Sequence, residues 1–155
     1  MKVKMKTWIH AAAGTIALIT VSAFWLSTAT VELFGDAVAI TTVKTGVLAG
    51  MAVLIPAMIV AGASGFSLGK GWKSPVVARK KQRMRVIAAN GLLVLVPSAV
   101  LLSSLADAGR FDALFTIVQA VELTAGAVNI ALLSLNMRDG LSLRRKPLRL
   151  AARVR

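Results

Sequence analysis

The chain is 155 residues long, 57% hydrophobic, and carries a formal net charge of +13. A chain this short is one unit rather than two ordinary domains, and the absence of Cys excludes disulfides, thiolate metal sites and Cys nucleophiles. Its basic residues fall in short blocks between long uncharged runs, which is the pattern of a membrane protein and not of a basic patch on nucleic acid.

The first span is expected over residues 8–28. No Asp, Glu, Lys or Arg occurs between Lys6 and Glu32, and a helix needs about 20 apolar residues to cross a hydrocarbon core. His10, the single histidine, stands two residues after Trp8. It is read as an interfacial imidazole, bonded to lipid headgroups or to Asn136. The alternative is an axial ligand to haem b, since imidazole suits iron. One chain supplies one such ligand, so that reading needs a dimer or a methionine such as Met84 or Met137. The basic start, the apolar run and Ser27-Thr28-Ala29 also resemble a cleaved signal peptide, but the run exceeds the usual 7–15 apolar residues. A retained span is therefore expected; cleavage would leave three spans and remove His10.

The second span is expected over 43–65. Pro56 at its centre removes a backbone donor and should kink the helix. Gly46 and Gly50 form a G-x-x-x-G pair, continued in small residues by Ala57, Ala61 and Gly65. Such a face lets a second backbone approach, either within one bundle or across a homodimer. The basic loop 66–85 follows. Its "GFSLGKG" is not a phosphate loop, because Ser64 occupies the first glycine position and Gly71 follows Lys70.

The third span is expected over 86–105, with a kink at Pro97. Asn90, Val94, Pro97, Leu101 and Ser104 alternate by three and four residues and should share one face. The fourth is expected over 113–135. Along it Asp112, Phe115, Gln119, Glu122, Gly126, Asn129, Leu133 and Asn136 keep the same alternation, making a polar seam that must face protein. Glu122 is its sharpest feature, since a charged acid at a helix centre costs roughly 2.5–3.5 kcal/mol on insertion scales. With Lys44 and Arg110 read as outer-interface residues, no cation lies at its depth. The acid is then expected neutral, bonded to Gln119 or to an acceptor on span three. Asn90 and Asn129 should lie at comparable depth, and Gly126 should serve helix packing. The basic tail 138–155, interrupted by Pro147, is expected along an anionic lipid surface.

All 19 Lys and Arg except Lys44 and Arg110 lie before span one, between spans two and three, or after span four. The positive-inside rule then puts both termini and the middle loop in the cytoplasm. The fold expected is all-α, an antiparallel four-helix membrane bundle in a bacterial-type inner membrane. No catalytic constellation, metal-ligand set or nucleotide motif is readable, so an enzyme is not expected. The function expected is a structural or interaction protein, with anionic lipids and a second copy or a larger membrane complex as partners. The alternatives are a small proton-coupled transporter using Glu122, and a haem b electron carrier using His10.

Overall fold

The structure is a computed structural model that describes residues 2–71 and 74–151, with side chains for 5–71 and 74–142. The expected lipid contacts of Arg144 to Arg155, and of Lys2, Lys4 and Lys73, lie outside the described side chains. The described residues are helical almost throughout and include no strand. Four helices are long and apolar enough to cross a membrane: Met5–Phe34, Ala37–Leu68, Pro75–Asp107 and Ala113–Ser142.

Helix α1 (Lys2–Phe34) continues through Ser27, Thr28 and Ala29 without a break. It stops at Gly35, where a Cβ would stand 2.7 Å from the Val31 carbonyl oxygen. Asp36 then caps α2 (Ala37–Leu68), its Oδ1 accepting the Ala39 N–H at 2.8 Å. A side-chain acceptor at this position satisfies one of the orphan donors of a first turn. The connection between α1 and α2 is therefore two residues long, not the loop of 29–42 that the apolar spans imply. Hydropathy ends where polar residues begin, whereas the backbone helix runs on through Glu32 and starts again well before Lys44.

The third span is three pieces: α3 (Pro75–Asn90), a π segment (Gly91–Leu95) and α4 (Val96–Asp107). The Val96 N–H reaches back to the Gly91 carbonyl, five residues earlier. Pro97 lies next in the chain; it has no N–H and crowds the carbonyl four residues before it, so the ladder widens by one residue there. That extra residue rotates everything after it by about 100°. The face expected from spacing is accordingly lost. Asn90 points into the bundle, but Pro97 and Ser104 are exposed and Leu101 is 40% exposed, while Ser98, Ala99, Leu102, Leu105 and Ala106 are buried. Pro56, by contrast, sits exposed within an uninterrupted α2.

Helix α5 runs from Ala113 to Ala151, beyond the expected end of its span and through Pro147. Asp112 starts it, Oδ1 accepting the N–H groups of Leu114 and Phe115 at 3.1 and 3.2 Å. Arg110 donates to the other oxygen at 2.8 Å, and that guanidinium, with the backbone donors, holds the Asp112 carboxyl below the usual carboxylate range.

The helices close a ring in which α1 packs on α2 and α5, α2 on α4, and the third span on α5. Helices α1 and α2 form the tightest pair. Phe24 lies over Gly50 and His10 over Gly65, with buried Ala13, Ala17, Ala57 and Ala61 between these contacts. The core has three layers. Leu102, Leu105, Ala106 and Phe115 fill one end; Val47, Met51 and Ala99 the middle; Val21, Ile87 and Leu133 the other end. Outward faces are as apolar as the inside, Leu92 and Leu93 being 69% and 72% exposed.

Candidate functional site: a polar seam closed by a buried ion pair

The seam on α5 faces the bundle, with Phe115 3%, Gln119 4%, Asn129 5% and Leu133 8% exposed. It is organised in three levels.

The first level corrects the reading of Glu122. Lys44 Nζ donates to Glu122 Oε2 at 2.7 Å, and Lys44 is 1% exposed. Gln119 Nε2 donates to the same oxygen at 3.3 Å. A cation does lie at this depth because α2 begins at Ala37. Counting 1.5 Å per residue, Lys44 is about 10 Å into α2 and Glu122 about 14 Å into α5. The flexible lysine stem covers the remainder. Its ammonium turns inward to a carboxylate instead of outward to the lipid surface. Glu32 of α1 joins this level, within electrostatic range of both Lys44 and Glu122.

The middle level belongs to Trp25. Its indole N–H donates to the Leu123 carbonyl at 2.8 Å. The ring lies against Gly126, where a Cβ would come within 3.0 Å of Trp25 Cδ1. Gly126 is thus the clearance for a tryptophan. A cavity of about 50 Å³ opens here, lined by Trp25, Thr28, Met51, Leu95, Ala99 and Glu122. Thr28 is 3% exposed.

The third level links α5 to the third span. Asn90 Nδ2 donates to the Ala125 carbonyl and to Asn129 Oδ1, both at 2.9 Å. Asn129 Nδ2 in turn donates to the Ile87 carbonyl at 3.4 Å. The Gly91 N–H, at the start of the π segment, is shared between Ile87 and Ala88. The asparagine adds a donor where the helical ladder is least regular. Asn136, beyond this level, reaches only the Lys80 carbonyl, at 3.5 Å.

His10 bonds to α2 and not to Asn136, the protein partner expected from the sequence. Nδ1 lies 3.0 Å from the Ala61 carbonyl and 3.1 Å from Ser64 Oγ on α2, and Asn136 bonds elsewhere. A carbonyl only accepts, so Nδ1 carries the hydrogen in that contact. A Cβ on Gly65 would meet His10 Cε1 at 2.9 Å, so the ring is seated in the α1–α2 interface. Met84, named as a second haem ligand, packs beside the Val21–Ile87–Leu133 core. No group of three or more His, Cys, Asp or Glu able to hold a metal occurs among the described residues.

The glycine pair of α2 divides. Gly50 is spent inside the bundle, where a Cβ would come within 2.5 Å of Phe24 Cζ, while Gly46 meets nothing within 4 Å. At the basic end, Arg83 pairs with Asp139 at 2.7 Å, joining α3 to α5. Lys44, Glu32, Trp25 and Asp139 are the site residues that spacing did not bring out. For Lys44 the available signal was that it is the one Lys or Arg between Lys6 and Lys70; for Trp25 and Thr28 it was their three-residue step toward Glu32.

The chain matches no protein-family model, no curated protein and no solved structure.

Proposed function

We propose that this protein is a multi-pass inner-membrane bundle, with both termini and the basic loop cytoplasmic, that serves as a structural or interaction subunit of a membrane complex. The observation that carries this reading is the Lys44–Glu122 pair. Lys44 and Glu122 are spent on each other across α2 and α5, and the amides of Asn90 and Asn129 join the third span to α5. Such pairs give a bundle one helix arrangement, and a defined arrangement is what a partner protein needs. The blocks of Lys and Arg at one end suit an anionic leaflet. Gly50, being occupied by Phe24, is withdrawn from any homodimer face.

The test is the native size of the protein after extraction from its own membrane in a mild detergent. In this reading it migrates above the mass of one 16.3 kDa chain, and Glu122→Leu releases it to the size of the single chain. Migration as a single chain, with ion or solute flux in vesicles abolished by Glu122→Gln, would replace the scaffold with the transporter.

A further inference from the structure

We propose that Glu32, with Gln119 and the Lys44–Glu122 pair, forms a proton-binding site inside the bundle, and that Glu32 is the group that takes up and releases the proton. This goes beyond the scaffold reading and does not depend on it.

The placement comes from α1. Trp25, Thr28 and Glu32 follow steps of three and four residues and so share a face. Trp25 and Thr28 line the central cavity together with Glu122. Glu32, one turn further on, therefore overlooks the level where Lys44 and Glu122 meet. It is half-buried, close to the acidic end of the bundle and two residues from the end of α1.

Two atoms at this level have no partner: Glu32 Oε1 and Gln119 Oε1. Gln119 is 4% exposed, and its amide is oriented because Nε2 donates to Glu122. Both unpartnered atoms are acceptors, and no donor of the site, the Lys44 ammonium included, reaches either of them. Buried polar atoms without partners are costly, and more so away from water. One proton on Glu32 converts an acceptor into an O–H donor.

The charges ask for the same thing. Lys44 of α2 and Glu122 of α5 are the charged groups within electrostatic range of Glu32, so two carboxylates share one ammonium, whose Nζ lies 2.7 Å from Glu122. The third span brings no charged group to this level; Asp107, at its end, is exposed. Asp36 in the turn is exposed, and Arg110 is held by Asp112. One negative charge is left over, and a proton balances it without needing room. On release, the Glu32 O–H bond breaks, leaving a carboxylate, and the proton passes to water at the acidic end.

The test is infrared difference spectroscopy between acid and alkaline buffers, on full-length protein in phosphatidylcholine vesicles. The expected result is one protonated-carboxyl band displaced from those of the exposed acids. It disappears in Glu32→Gln, shifts in Gln119→Leu, and is unchanged in Asp107→Asn. Should Glu32→Gln fail to fold, the shift in Gln119→Leu decides alone. Survival of the band in Glu32→Gln overturns the proposal, as does an unmoved band in Gln119→Leu. Absence of any displaced band overturns it too, water alone then filling the site. A band removed by sodium at constant pH, with a raised melting temperature, would mean a monovalent metal cation occupies it.

Discussion

Lys44 and Glu122 carry opposite charges in surroundings that cannot solvate either alone, so each is the condition for the other. Removing one partner of a buried pair typically costs about 3–5 kcal/mol, whereas replacing both by apolar groups of similar volume is often neutral or stabilising. Lys44→Met and Glu122→Leu should therefore each lower stability by about that amount, and the double variant should recover most of it. A double-mutant cycle on unfolding in mild detergent reads the coupling directly. A double variant as unstable as the sum of the singles would show that the two side chains act independently. This pair was half legible. The alternation of Gln119, Glu122 and Asn129 marks an inward face from spacing alone, because a polar residue in lipid has nowhere else to turn. The partner was not legible, because a lysine near the edge of an apolar run has two destinations. Only the start of α2 at Ala37 decides which one it takes.

At the scale of the element, the third span shows how one residue changes which face is buried. A regular helix from Asn90 to Ser104 would put Pro97, Leu101 and Ser104 inside; the π segment at Gly91–Leu95 puts Ser98, Leu102 and Leu105 there instead. Pro97→Ala restores an N–H and lets an ordinary ladder close, which would turn the α4 face by about 100° relative to α3. The expected outcome is a lower thermal midpoint by circular dichroism, although alanine is by far the better helix former. A higher midpoint would mean that packing against α5 maintains the bulge and that proline only strains it. The presence of an irregularity near Pro97 was readable from the sequence. Its sense was not, since a kink and an inserted residue share the same proline signal.

At the scale of the whole molecule, the ring of four helices leaves one end basic and the other acidic. The proposed orientation places the basic end in the cytoplasm. Because the chain has no Cys, single introduced thiols report topology cleanly. Ala78 at the basic end and Asp107 at the acidic end are both exposed. With a membrane-impermeant maleimide on intact spheroplasts, Asp107→Cys should label at once and Ala78→Cys only after permeabilisation. The reverse pattern would invert the molecule and with it the side from which Glu32 exchanges its proton.

Composition and charge spacing by themselves determined that there are four long apolar helices and that α5 carries an inward polar face. Both follow from bulk rules, the width of a hydrocarbon core and the 3.6-residue turn, that need no knowledge of neighbours. Tertiary structure alone decided what that face meets. It put Lys44 beside Glu122, Trp25 over Gly126, Asn90 against Asn129, and His10 on α2 rather than near Asn136. Those pairings depend on where helices start, on one extra residue before Pro97, and on the reach of side chains between helices. Such quantities belong to the packed bundle and to no single segment of it.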